Sequence, residues 1–142
     1  MANFNFGDYI KDDLTRLFSD TGAFYAFSES QYKEQAQEGV RYVRAQMGLY
    51  VPVGDKYKEF FDRLDRIYTD KGAEFFQLHG LEKIAKYEFW NYETAYTGDT
   101  SDAREALAKW QTFTGLTDSE YQEKLTAIFK DCFKYAVDND LI

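Results

Sequence analysis

The chain has 142 residues, of which 44% are hydrophobic and 19% aromatic, and its formal net charge is −8. This length suits one domain with a single hydrophobic core, and the aromatic content argues against a disordered chain. Direct binding to nucleic acid requires clustered lysines and arginines, whereas the basic residues here are interleaved with acidic ones, so we expect no nucleic-acid partner.

The first two elements are predicted from one cap and one apolar run. Asp8 can cap a first helix, because apolar side chains follow it at helical spacing, namely Ile10, Leu14, Leu17 and Phe18. After this helix, residues 23–27 form a short apolar run. We interpret this run as an extended segment against the core.

The second helix is predicted from a Ser-x-x-Gln capping box at Ser28 and Gln31. Apolar residues continue from it at helical spacing, namely Tyr32, Ala36, Val40, Val43 and Met47. We therefore expect this helix to end at Met47. Pro52 argues against a central strand in the residues that follow, so 49–54 are predicted to form a connector.

Four further helices complete the prediction: one between Asp55 and Gly72, one from about Ala73 to Tyr96, a short one around Ala103–Trp110, and a last one from Thr117. Gly80 interrupts the second of these. The last opens with a capping box and carries the most regular apolar stripe, which includes Cys132. The chain is thus predicted to be mainly α, one domain over residues 1–142, as a compact bundle of about six helices.

The compartment is predicted from the single cysteine and from two missing signals. With Cys132 alone no intrachain disulfide can form, which suits a reducing compartment. Residues 1–8 lack the basic and apolar regions of an export signal, and no apolar run is long enough to cross a membrane. We expect a cytoplasmic protein without a membrane partner.

Enzyme motifs are mostly absent, and His79 is the only histidine. We therefore expect no catalytic residue, no cofactor and no metal site, with Cys132 packed in the core and His79 in a structural or surface role. One enzymatic alternative stays open. A small metal-dependent hydrolase could use Glu88, Glu93 and Asp99, because carboxyl groups with different pKa values can act as acid and base.

The most unusual segment is 87–102, where large aromatic side chains alternate with carboxylates. It begins the acidic end of the chain, since residues 88–142 have a net charge of −6. One interpretation is a junction between helices. The other is a partner-binding patch, because Trp and Tyr dominate binding hot spots. The candidate partner-binding residues are Trp90, Tyr92, Glu93, Tyr96, Asp99 and Asp102.

Four blocks of the sequence resemble a family of small proteins from phages, plasmids and other mobile elements. The blocks are Phe24-Tyr-Ala-Phe-Ser-Glu-Ser-Gln-Tyr32, Tyr87-Glu-x-x-Asn-Tyr-Glu93, Tyr96-Thr-Gly-Asp99 and Asp102-Ala-x-x-Ala-Leu107. The family has no assigned activity, and its pattern has histidine where this chain has Tyr92. A tyrosine cannot shuttle protons near neutral pH, so chemistry that depends on that imidazole is not expected here.

The resemblance and the charge together suggest a phage or mobile-element accessory protein that binds another protein. We expect a counter-defence inhibitor, similar to anti-CRISPR proteins, that occupies a basic nucleic-acid-binding surface of a host nuclease. It would act in the bacterial cytoplasm as a monomer or homodimer. A homodimeric structural or regulatory scaffold is the second non-enzymatic alternative.

Overall fold

The computed structural model describes residues 5–142. Within this range about 70% of the residues are helical, and three short strands form one sheet. The mainly α class is confirmed, but the described helices outnumber the predicted six, and the sheet is larger than the single extended segment predicted at 23–27. The prediction that residues 1–8 carry no export signal falls partly on 1–4, which lie outside the described residues.

The described residues form two compact units, Asn5–Lys71 and Gly72–Ile142. The prediction of one domain over 1–142 stays a prediction. Charge is divided unequally between the units. The first has 12 acidic and 10 basic side chains, and the second has 13 and 7, a net charge of −6. No helix of the described range is both long enough and apolar enough to span a membrane.

Helices of the N-terminal unit are α1 (Phe6–Tyr9), α2 (Lys11–Thr21), α3 (Glu29–Gln35) and α4 (Asp55–Arg66), followed by a π-helical turn (Ile67–Lys71). The first cap is Asn5, not the predicted Asp8. The Asn5 Oδ1 atom accepts a hydrogen bond of 2.7 Å from the backbone N–H of Gly7. Ser28 caps α3, since its Oγ accepts from the N–H of Gln31, but the reciprocal bond of the predicted capping box does not form, because Gln31 Oε1 accepts from the N–H of Phe27.

The sheet consists of β1 (Phe24–Tyr25), β2 (Tyr42–Gln46) and β3 (Leu49–Pro52), antiparallel in the order β1-β3-β2. The predicted second helix to Met47 is therefore wrong, because α3 ends at Gln35. Gly39 has a φ of +82°, which interrupts a helix, and the β-branched and aromatic residues that follow favour a strand.

Pro52 is compatible with the central strand because it is the last residue of β3. Tyr50 pairs with Phe24 of β1, so the nitrogen of Pro52, two residues on, also points to the β1 side. There β1 offers no partner, since it begins at Phe24. The lack of an N–H in proline therefore costs the sheet no hydrogen bond. The predicted connector at 49–54 is wrong.

The two faces of the sheet pack differently. On one face a core joins the sheet to α2 and α4, and its buried members are Leu17, Ala23, Leu49, Val51 and Phe60. On the other face Phe24 lies in an aromatic cluster with Tyr32, Tyr42 and Tyr50. The ring of Tyr32 brings α3 onto this face, with its centroid 4.8 Å from that of Tyr50.

The C-terminal unit contains α5 (Gly72–Asn91), α6 (Thr94–Thr97), α7 (Ser101–Leu107), a 3-10 helix (Ala108–Phe113) and α8 (Asp118–Asp138). Gly80 breaks α5 as predicted, with φ 79° and ψ 159°. The capping box at Thr117 is also confirmed. The stripe of α8 is buried at Tyr121, Leu125, Ile128, Cys132 and Ala136, whereas Phe133 is exposed.

Candidate functional site

The end of α5 is shaped by the Tyr-Glu-x-x-Asn-Tyr-Glu block. Within this block, Asn91 lies one helical turn after Glu88 and favours the ionised form of its carboxyl group. Glu93 then adopts a left-handed conformation, with φ 53° and ψ 33°, which ends the helical run. Non-glycine residues seldom adopt this conformation, so the chain direction here is set by tertiary packing. Residues 92–102, hereafter the α5–α7 connection, begin at this point and include the first two residues of α7.

Asp99 forms the turn before α7. Its Oδ1 atom accepts hydrogen bonds from the hydroxyl of Ser101 at 2.6 Å and from the backbone N–H of Ser101 at 2.9 Å. These two bonds hold the pKa of Asp99 below its usual range. Thr97 Oγ1 in turn accepts from the N–H of Asp99. Asp99 is exposed, but its main role in the fold is to hold this turn.

Arg104 ties α7 to α8 through neutral partners. Its guanidinium donates to the side-chain and backbone oxygens of Gln122 at 2.7 and 3.2 Å, and to Thr126 Oγ1 at 2.7 Å. Ala103 and Leu107 are fully buried on the same short helix. The Asp-Ala-x-x-Ala-Leu block is therefore explained largely by packing.

Five of the six candidate residues are exposed, although Asp99 also holds the turn before α7. Tyr92 and Tyr96 are 42% and 57% exposed, and Glu93 and Asp102 are also exposed. In the described part of the chain, no lysine or arginine forms an ion pair with Glu93, Asp99 or Asp102. Exposed rings beside unneutralised carboxylates suit contact with a positively charged surface.

Trp90 is half-buried, and its ring packs edge-on against Tyr135 of α8, with 6.2 Å between the ring centroids. Tyr135 is 57% exposed and was not among the predicted residues. The only sign of Tyr135 in the sequence was the position of an aromatic residue next to the buried stripe of α8. Through the ring contact Tyr135 lies next to Trp90, which is two residues before Tyr92 in the sequence.

Two carboxyl groups of the hydrolase alternative, Glu88 and Asp99, have pKa values shifted in opposite directions. Burial raises the pKa of Glu88, an effect that nearby Lys109 and Asn91 partly offset. The pKa of Glu88 is thus shifted in the direction opposite to that of Asp99. However, the alternative also requires a metal, and the described residues contain no group of three His, Cys, Asp or Glu side chains that could hold a metal ion. The hydrolase alternative therefore lacks a metal site there.

The two other reactive side chains are part of the packing. The ring centroid of His79 lies 4.5 Å from that of Phe75, just before the break in α5. Cys132 is buried as predicted, and burial raises the pKa of its thiol. A thiol with a raised pKa is a poor nucleophile near neutral pH.

A second exposed surface, in the N-terminal unit, was missed by sequence reasoning. Phe27 and Met47 are 70% and 81% exposed, and they line an open groove with Tyr32, Arg44 and Tyr50. Interpreting Tyr32–Met47 as one helix hid this groove, which depends on the turn between β2 and β3.

The fold and the site define a mainly α protein with a small antiparallel sheet and an acidic, aromatic surface segment. Residues 6–134 match DUF7659, a family of unknown function, and the chain belongs to this family. Neither a curated protein nor a solved structure matches the chain.

Proposed function

We propose that this protein acts by binding another protein, and that it contacts a basic surface through the α5–α7 connection. The observation that carries the proposal is the exposure of Tyr92 and Tyr96 beside Glu93, in a unit with a net charge of −6. Aromatic side chains supply binding energy, while unpaired carboxylates select a positively charged partner and accelerate association.

The tyrosines and the carboxylates are expected to contribute differently to binding. Tyr92 and Tyr96 are partly covered in the free protein, and a tyrosine side chain has only two rotatable angles, so the side-chain entropy lost on binding is small. Truncation of an aromatic hot-spot residue costs about 2 kcal/mol or more, which corresponds to roughly 30-fold in affinity. Carboxylates at the rim of an interface contribute mainly to association rate and salt dependence.

The partner proposed is a host defence nuclease, and the protein would be a counter-defence inhibitor similar to anti-CRISPR proteins. A nuclease that binds nucleic acid presents a basic surface, to which an acidic unit is attracted. The resemblance to proteins of phages and mobile elements supports the same proposal, with action in the cytoplasm of a bacterial host. Inhibition would follow from occupation of the nucleic-acid surface, without cleavage of the nuclease or of nucleic acid.

The experiment is affinity capture from a bacterial lysate with tagged wild type and two matched double variants. Tyr92→Ala/Tyr96→Ala removes the proposed anchors. Tyr57→Ala/Tyr68→Ala removes two tyrosines of similar exposure from the N-terminal unit. We expect wild type and the second variant to retain a basic nucleic-acid-binding protein that the first variant loses.

Salt and competition complete this experiment. Capture should weaken when salt is raised from about 50 to about 300 mM, because exposed charges are screened over a shorter distance. Nucleic acid should compete with the protein for the captured partner. Retention of the partner by Tyr92→Ala/Tyr96→Ala, or capture that nucleic acid does not affect, would contradict the proposal.

A further inference from the structure

The two outer edges of the sheet differ in how their backbone groups are satisfied. At the β1 edge, Gln35 Nε2 donates a hydrogen bond of 2.7 Å to the carbonyl of Tyr25. Gln31 Oε1 accepts one of 2.7 Å from the N–H of Phe27. Side chains of α3 thus cover the β1 edge, as proteins commonly protect exposed strand edges.

The outer edge of β2 has no such cover. The N–H of Val53 donates to the carbonyl of Arg41, so Arg41 and, by alternation, Val43 direct their backbone groups to β3. Tyr42 and Arg44 therefore direct theirs away from the sheet. Within residues 5–142, no hydrogen bond satisfies the backbone N–H or C=O of these two residues. Val43 is 37% exposed, and Arg44 is exposed as well.

We propose that the β2 edge pairs antiparallel with the β2 edge of a second copy of this chain, with Val43 on the two-fold axis. In this register Tyr42 lies opposite Arg44 of the second copy, and the same pair forms again across the axis. Both pairs join residues whose backbone groups point outward, so four hydrogen bonds form and every free group of Tyr42 and Arg44 is satisfied. The three-stranded sheet becomes six-stranded.

The side chains suit the same register. Val43 meets Val43 of the second copy, which pairs two exposed β-branched side chains. Tyr42 meets the guanidinium of the opposing Arg44, an arrangement that favours a cation–π contact. Arg44 forms no ion pair within the described chain. A register centred on Arg44 would instead place two arginines directly opposite each other, which is unfavourable.

The first test uses a disulfide to read the register. Residues in a non-hydrogen-bonded antiparallel pair have Cα atoms about 4.5 Å apart, within the range that a disulfide spans. Val43→Cys should therefore form a covalent dimer under mild oxidation. Val40→Cys is the matched control, because Val40 is equally exposed, at 37%, but would lie opposite Gln46. Native Cys132 is only 3% exposed and does not contribute.

The second test measures association without a crosslink. Sedimentation of wild type should show a reversible monomer–dimer equilibrium with a dissociation constant below about 500 µM. Val43→Glu places like charges on the axis and should raise the dissociation constant at least about tenfold. Val43→Thr keeps the branched shape and should associate like wild type. Wild type that stays monomeric, or Val40→Cys that crosslinks as fast as Val43→Cys, overturns the proposal and leaves the edge to a strand of another protein.

Discussion

Tyr121→Phe tests the packing that holds the C-terminal unit together. Tyr121 is fully buried, and its hydroxyl donates a hydrogen bond to the carbonyl of Leu107 at the end of α7. The substitution keeps the ring but leaves this carbonyl buried without its donor. An unsatisfied buried group costs about 1–3 kcal/mol. For a unit of this size, each kcal/mol corresponds to a shift in Tm of about 4–8 °C.

The assay is thermal and urea unfolding of Tyr121→Phe beside Tyr135→Phe. Tyr135 lies on the same helix but is 57% exposed, so its variant should differ from wild type by less than about 0.5 kcal/mol. Burial raises the pKa of Tyr121 from 10.0 to about 12. Stability that depends on the protonated phenol is complete below pH 10 and is lost as pH rises towards 12, a loss that Tyr121→Phe should not show. Equal stability of both variants would refute the proposed packing.

Three further substitutions test other contacts. Arg104→Lys should lower the free energy of unfolding by about 1–3 kcal/mol in urea, because an ammonium cannot bridge the acceptors on α8 with a planar fork. Gly48→Ala should destabilise more than Gly39→Ala, since both have positive φ, but only at Gly48 would a Cβ lie 2.4 Å from the Phe27 ring. Glu88→Gln should raise Tm at neutral pH and lose this effect in acid, because burial raises the carboxyl pKa and its ionisation opposes folding.

Local signals in the sequence predicted helix starts better than helix ends. The hydrogen bonds of Ser28 and Thr117 to the residue three further on confirm both caps. The end of α3 was not predicted because the apolar residues from Tyr32 to Met47 keep a spacing of three or four, although they span a helix, a loop and a strand. Only pairing with β3 reveals the strand, and that pairing joins residues distant in sequence.

The candidate site was predictable in composition but not in geometry. An aromatic and acidic segment at 87–102 is visible in the sequence. Which of its side chains face outward depends on the left-handed turn at Glu93, which no local pattern specifies. The same turn leaves Tyr92 exposed while Trp90 packs on Tyr135, a contact across two helices.

Charge reversal tests the central claim most directly, by quantitative capture of the partner from a bacterial lysate. Glu93→Lys/Asp102→Lys reverses two carboxylates at the proposed contact. Glu123→Lys/Asp131→Lys makes the same change in net charge at exposed positions of α8 in the same unit. We predict that the first variant recovers at least about tenfold less of the basic protein than wild type, and that the second recovers as much as wild type. Equal recovery by both variants would contradict a binding surface at the α5–α7 connection.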